Sequence, residues 1–269
     1  MKATVYRRFR GKYVKGCVVH AEALDYLRTL PSASAGLLFL DPPFNLGKQY
    51  SRARPSMDRL PEEKYLAWIQ DILNESVRVL MPGGTLYLYH LPNWAMELGG
   101  FLNGRLTFRH WIAISMKNSF LRGRYLYPAH YALLMFTKGE PKHFRRPKLS
   151  PSLCRHCGGM VKDYGGYRRI IEQKGLNLSD FWEDLSPVRH RNRKNRVANE
   201  LPEKLFERLT EMSGVPGMLY VDPFAGSGTG VLVAARAGMV FSACDIVKSN
   251  CRIICARLDS YRCLVHKRP

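Results

Sequence analysis

No apolar run in this chain approaches the ~18 residues that cross a bilayer as a helix, so no membrane partner is expected. The first ten residues are basic, but no apolar stretch follows them. That pattern lacks a secretory signal and gives the expectation of a cytoplasmic protein. Seven cysteines in 269 residues are too few for a disulfide scaffold and are expected as reduced thiols. No internal repeat and no low-complexity tract stands out, which removes solenoid and disordered readings. Acidic residues are scarce as well: 22 Asp and Glu stand against 42 Lys and Arg, a formal net charge of +20.

That imbalance is the first positive signal. A surplus of this size fits a polyanionic partner, of which nucleic acid is the commonest; a solubility surplus or a membrane-surface role are the alternatives. The basic residues also cluster, which favours a surface that tracks phosphates. Arg189 to Arg196 (RHRNRKNR) holds five basic side chains, Lys142 to Lys148 (KHFRRPK) holds four, and Arg7, Arg8, Arg10 and Lys12 form a third group. The remaining composition, 46% hydrophobic and 24% charged, is that of an ordinary globular chain. Its length allows one large α/β domain with an insertion, or two small domains.

Two segments read as buried strands that feed loops. Leu37 to Leu40 is continuously apolar and stops at Asp41-Pro42-Pro43-Phe44; Met218 to Val221 does the same and stops at Asp222-Pro223-Phe224-Ala225-Gly226-Ser227-Gly228. A helix is expected from Thr229 to Ala237 with Gly238 as its cap, then a strand from Val240 to Ala243. Helical spacing also runs from Leu66 to Leu80 until Pro82-Gly83-Gly84 stops it, from Leu201 to Met212, and from Val247 to Leu258. Thr85–Tyr89, Trp111–Met116 and Ala132–Phe136 read as further strands. Residues 140–199 are rich in Pro, Gly, Arg and Lys and read as an insertion on the core.

The two loops carry the chemistry. Small residues at 225–228 let backbone approach a nucleotide-like ligand and turn sharply into a helix. Asp245, 17 residues beyond Gly228, lies where a ribose hydroxyl pair would be held; a plain tight turn is the alternative. In the other loop, Asp41 offers one hydrogen-bond acceptor and the Pro42 carbonyl a second, with φ fixed by successive prolines. Two such acceptors can localise the lone pair of an exocyclic base amine, otherwise delocalised into its ring. Phe44 offers a stacking face, and a base in a duplex reaches such a pocket only when flipped out. A strand-ending Asx turn is the alternative here.

Together the two tetrads resemble the amino-methyltransferases of DNA, in which a DPPY/F or SPPY tetrad is catalytic and a DPFxGSGT sequence is the S-adenosylmethionine loop. The catalytic tetrad comes first and the cofactor loop 181 residues later, similar to the permuted β arrangement of that family. His20 to Leu24, Leu80 to Gly84, Asp180 to Trp182 and Asn199 to Pro202 also fall where the family has matching segments. The resemblance implies a Rossmann-like, mostly parallel seven-stranded sheet with circularly permuted motif order. Residues 1–139 would form the catalytic half, 140–199 the target-recognising insertion and 200–269 the cofactor half.

Carried over, Asp41, Pro42, Pro43 and Phe44 would be catalytic. Asp222, Phe224, Gly226, Ser227 and Gly228 would line the cofactor, Asp245 would hold its ribose and Glu22 would lie near its adenine. Glu22 stands where the family has Asp, and Leu201-Pro202 replaces its Lys-Pro. The implied reaction is methylation of a base in double-stranded DNA, with N6 of adenine favoured by the DPPF tetrad. N4 of cytosine, an RNA substrate and a silent DNA-binding subunit are the rivals. A cognate restriction endonuclease and a homodimer are candidate partners. Cys154 and Cys157 make half of a zinc knuckle, but no second CxxC exists, so reduced thiols and no metal are expected, with a structural zinc completed by His130, His143 or His190 as the alternative.

Overall fold

Ala35 to Leu40 offers no polar side chain to water, and it forms a strand, β3 (Ala35–Leu40), buried at all six positions. The computed structural model describes residues 2–46, 60–116, 126, 129–151, 153–154, 156–160, 162, 165–185 and 200–266. Before β3 come β1 (Thr4–Arg10), β2 (Lys15–His20) and α1 (Ala23–Thr29). After it come α2 (Glu62–Val79), β4 (Leu80–His90), α3 (Pro92–Asn103), β5 (Thr107–Ser115) and β6 (His130–Thr137). A small excursion holds β7 (Lys148–Leu149), α4 (Arg168–Lys174), β8 (Leu176–Asn177) and β9 (Phe181–Trp182). The chain returns through α5 (Glu203–Ser213), β10 (Leu219–Asp222), α6 (Thr229–Arg236), β11 (Val240–Asp245) and α7 (Lys248–His266).

The main sheet has the order β1-β2-β11-β10-β3-β4-β6-β5-β9. From β2 to β5 this is the expected seven-stranded sheet. The pairs β2–β11, β11–β10, β10–β3 and β3–β4 are parallel, while β6 runs against both neighbours. Two edge strands extend it: β1 is a hairpin partner of β2, and β9 lies parallel to β5. Neither was legible in the sequence, because β1 buries only Phe9 among basic residues and β9 has two residues.

Alternation sorts the strands' side chains onto two faces. Leu37, Phe39, Tyr87, Tyr220 and Phe241 point into one core, closed by Phe206, Leu209, Val231 and Ile254 from α5, α6 and α7. Leu38, Leu40, Leu86, Leu88 and Val221 point into the other, closed by Tyr26, Tyr65, Ile69, Leu73 and Leu98 from α1, α2 and α3. Three helices therefore cover each face, the doubly wound arrangement.

Some boundaries differ from the pattern. The helix α2 ends at Val79, and Pro82-Gly83-Gly84 already belongs to β4, because Gly83 N–H donates to Lys138 O and Lys138 N–H to Gly84 O. Helix α3 was missed, since Gly99-Gly100 reads as a turn, and α7 continues past Leu258.

Gly230 sits where α6 crosses β10. A Cβ there would run into the Tyr220 hydroxyl and lie 2.7 Å from the Phe206 ring. Gly230→Ala is expected to destabilise the fold by about 1–3 kcal/mol through overpacking. Chemical denaturation checks this; unchanged stability would mean α6 is free to slide off β10.

Candidate active site

From β10 the chain winds through α6 to β11, and from β3 it winds through α2 to β4 on the opposite side. The strand order thus diverges between β10 and β3, and in open α/β sheets the crevice at such a switch point, beyond the strands' carboxyl ends, is where ligands bind. Val221 pairs with Leu38, so β10 and β3 run out at the same edge of the sheet with Asp41 two residues beyond the level of Asp222. Both aspartates line one cleft together with Glu200, Phe224, Gly226 and Ser227. The two predicted tetrads, far apart in sequence, are brought together.

Continuing along the sheet, Asp245 ends β11 and Glu22 follows β2, whose His20 pairs with Asp245. Four acids therefore stand at the carboxyl ends of four successive parallel strands. Burial raises the Asp41 carboxyl to about 8, with the nearby Asp222 charge adding to it. Burial likewise lifts Asp222 to about 7, although Phe224 N–H (3.1 Å) and the Tyr220 hydroxyl (3.0 Å) donate to it. Asp245 rises to about 6 for the same reason, offset by Val247 N–H, Asn250 Nδ2 and Gly226 N–H. Among the described residues none donates a hydrogen bond to Asp41.

The glycine-rich turn is held from both ends. Gly226 and Gly228 have φ of 53° and 77°, the left-handed region that favours glycine. Asp245 accepts from Gly226 N–H at 2.9 Å. From α7, Arg257 Nη1 donates to Ser227 O at 3.0 Å and to Glu200 at 2.8 Å, while Thr229 Oγ1 also donates to Glu200. Burial works against the Glu200 charge, but these donors hold its carboxyl below the usual range. On the far side, Glu22 caps α1 by accepting from Leu24 N–H at 2.8 Å and accepts from Trp68 Nε1 at 3.2 Å. The Trp68 ring meets Phe224 edge-on at 6.1 Å, which links Glu22 to the cofactor loop.

In the Asp-Pro-Pro-Phe turn, Phe44 is backed by rings: His90 at 4.8 Å, and Tyr89 and Tyr131 at 6.0 Å each. Asn45, at φ 56°, pairs its side-chain amide with both backbone groups of Leu60. The Tyr65 hydroxyl lies 2.7 Å from Pro43 O and 2.7 Å from His90 Nε2, and Leu91 N–H donates to His90 Nδ1 at 2.8 Å. Burial pulls His90 down to about 3, so the ring is neutral.

Sequence reasoning missed Tyr65, Trp68, His90, Tyr131, Glu200 and Arg257. They lie in stretches that read as plain helix or strand, and only the Asn199 to Pro202 segment was flagged. Elsewhere, Cys154 and Cys157 occupy a turn closed by the Leu153–Met160 bridge, with Cys154 N–H donating to Gly159 O at 2.7 Å. Among the described residues no group of three or more His, Cys, Asp or Glu could hold a metal. The Lys142–Lys148 cluster is exposed apart from Pro147, whereas Arg189 to Arg196 and Tyr164 lie outside the described residues. Among the described residues no helix is long and apolar enough to cross a membrane.

A seven-stranded sheet with one reversed strand near its edge, an acid-ended strand at the switch point and a glycine turn into a helix define the Rossmann-like methyltransferase class of fold. Residues 36–256 match the family described as DNA methylase, of the N6/N4 type. The chain is 40% identical over 246 residues to the type II methyltransferase M.BamHI of Bacillus amyloliquefaciens, covering 91% of this chain and 57% of that one. It is 32% identical to M.HpaI of Haemophilus parainfluenzae, covering 90% and 74%. The solved PvuII DNA methyltransferase, described as cytosine-N4-specific, superposes with a TM-score of 0.63 at 14% identity over 90% of this chain and 86% of that one, a likeness of fold. The chain belongs to the N6/N4 DNA methylase family, and it spans little more than half the length of M.BamHI.

The raised carboxyls set a stability test. An aspartate with an ordinary value near 4 when unfolded and about 8 when folded binds its proton more tightly in the folded state. Its contribution is complete below the unfolded value and is lost as pH climbs toward the folded one. Asp41→Asn removes that loss. Its melting temperature relative to wild type is therefore expected to rise between pH 4.5 and pH 8.5. A gap that stays constant across thermal scans would mean Asp41 ionises normally.

Proposed function

We propose that the chain transfers a methyl group from S-adenosylmethionine to the exocyclic amine of a base flipped out of double-stranded DNA, with N6 of adenine as the target. The observation that carries this reading is the meeting of Asp41 and Asp222 across one cleft at the switch point. The cofactor fits the residues present: its ammonium, ribose hydroxyls and adenine amine are all donors, and the sheet edge presents Asp222, Asp245 and Glu22 as acceptors. Gly226, Ser227 and Gly228 would carry it against backbone, with Phe224 beside it. When bound it supplies an electrophilic methyl on a sulfonium sulfur.

The chain's own residues then act on the base. Phe44, backed by His90, Tyr89 and Tyr131, stacks on its face. Asp41 and the Pro42 carbonyl accept the two N–H bonds of the amine, which returns lone-pair density to the nitrogen. As the amine takes up the methyl that the cofactor would supply, the surplus proton on its nitrogen would pass to Asp41, whose raised carboxyl suits it to receive one. Binding energy that unstacks the base would come from the basic insertion at 140–199, where Lys142, Arg145, Arg146 and Lys148 are exposed. The type II designation of M.BamHI and M.HpaI supports a cognate restriction endonuclease as counterpart, and sedimentation tests for a homodimer.

A second reading keeps the site and changes the base. Cytosine N4 needs the same two acceptors, and the PvuII fold neighbour is described as acting there. Incubating the protein with unmodified genomic DNA and labelled cofactor, followed by nucleoside mass spectrometry, separates N6-methyladenine from N4-methylcytosine. Labelled product from RNA alone, or none from any nucleic acid, would overturn the proposal. Asp41→Ala is expected to slow single-turnover methylation by about 10²-fold or more, with cofactor and DNA binding retained. Neutralising Lys142, Arg145 and Arg146 should flatten the salt dependence of DNA binding by roughly one unit of slope per lost phosphate contact. An unchanged slope in a salt titration would reduce that cluster to a solvated face.

A further inference from the structure

We infer that Tyr65 and His90 are positioning residues for the methyl transfer, acting as a hydrogen-bonded relay that fixes the backbone rotation at Pro43, which the two prolines leave soft. The inference rests on the proposed reaction at this site.

The argument starts from the dihedral angles. Ring closure fixes φ of Pro42 and of Pro43 near −65°. A residue that precedes proline is confined to extended ψ, which restricts ψ of Asp41 and of Pro42. The rotations left soft are φ of Phe44 and ψ of Pro43, and the latter swings the Pro43 carbonyl and, with it, the direction in which the chain enters Phe44. That carbonyl is the atom to which the Tyr65 hydroxyl comes within 2.7 Å. The angle that places the stacking ring relative to the catalytic carboxylate is therefore set by a side chain from α2.

The direction of the relay follows from its donors. Leu91 N–H can only donate, so His90 Nδ1 must accept and carries no proton. A neutral ring then has its proton on Nε2, which donates to the Tyr65 oxygen at 2.7 Å. The Tyr65 hydroxyl is left to donate to Pro43 O. The chain Leu91 N–H, His90, Tyr65, Pro43 O thus runs one way, and each bond polarises the next. Protonating His90 would put Nδ1–H against Leu91 N–H, so the ring's neutrality is part of the geometry.

Both side chains are completely buried, Tyr65 against Trp94 with ring centroids 4.7 Å apart and His90 against Phe44. Packing alone does not call for a histidine and a tyrosine here, because Leu and Phe would fill comparable volumes without polar atoms to satisfy. A buried polar pair whose last donor ends on the tetrad's carbonyl is explained by what it does to that carbonyl.

The test uses the full chain, unmodified bacterial genomic DNA and radiolabelled S-adenosylmethionine under single-turnover conditions. Tyr65→Phe is expected to slow methylation about 10- to 100-fold, the scale of an ångström misplacement, while calorimetric cofactor affinity stays within about twofold because the glycine turn is held independently. His90→Gln presents an N–H near the position of Nε2 and should recover most of the rate; His90→Leu should fall with Tyr65→Phe. The double variant Tyr65→Phe, His90→Leu should be no slower than the slower single one. A folded Tyr65→Phe protein at wild-type rate overturns the relay. So do equal losses in the Gln and Leu variants, or a cofactor affinity that collapses in parallel. The tautomer gives a readout free of activity: ¹⁵N imidazole NMR of the wild type must show a protonated Nε2, and a protonated Nδ1 sinks the relay. A wild-type protein that methylates no nucleic acid while showing the Nε2 tautomer sinks the reaction, and with it the catalytic meaning of the relay.

Discussion

Two aspartates facing one cleft at the switch point of the sheet are the constraint around which the rest of the molecule is arranged. Burial pushes both carboxyls upward, with the Asp222 charge adding to it at Asp41 and the Asp245 charge at Asp222. Cores built for stability alone avoid that arrangement, since a buried carboxylate that is short of donors costs free energy. The chain partly offsets it at Asp222, with donors from Phe224 and Tyr220, and leaves Asp41 facing the cleft. Asp245 is satisfied more fully, by three donors, and acts in part as a strut for the glycine turn. The gradient from satisfied to exposed acid runs toward the position where the reacting amine is proposed to sit.

The permuted order of the chain is invisible at this site. Strand β3 precedes β10 by well over a hundred residues, yet the two are neighbours in the sheet. What the crevice needs is two parallel strands with connections that leave in opposite directions, and either strand can come first. Residues 140–199, rich in Arg and Lys, lie in sequence between the segments proposed to be catalytic and cofactor-binding. Part of that stretch is tied down. Trp182 of β9 is buried in the main core and lies under the Arg208 guanidinium, and Asp184 pairs with Arg208 and Lys204 of α5. Loops that leave from such anchored points can be exposed and basic without destabilising the sheet.

How much was legible beforehand depended on the scale of the signal. Continuous apolar runs ending in proline or glycine, as at Leu40 and Val221, announce buried parallel strands, and both tetrads were found where they stand. Elements whose burial depends on tertiary partners were not legible: β1 buries Phe9 between arginines, and α3 hides a helix behind two glycines. The same holds for the support of the site. Tyr65, Trp68 and His90 sit at helical or strand spacing and look like core residues, because hydrogen bonds between a helix, a strand and a loop leave no period in the sequence. Glu200 lies within a flagged segment, but its pairing with Arg257 and Thr229 joins three separate parts of the chain and left no signal in the sequence.

The distribution of charge gives the proposed reaction a direction. The chain carries a surplus of 20 positive charges, yet the cleft at the carboxyl edge of the sheet is lined by Asp41, Asp222 and Glu200. A polyanion is drawn to the basic exterior, while the residues lining the cleft include no Lys or Arg to pair with a phosphate. A neutral base can descend, because its amine brings two donors to acceptors that lack them, and its ring meets an aromatic wall. The cationic cofactor is favoured in the same cleft. In the proposed reaction, attraction at the rim and the lack of a cation in the cleft favour the geometry in which only the nucleobase leaves the helix. The acids that cost the free protein stability are the groups proposed to receive the base and the cofactor.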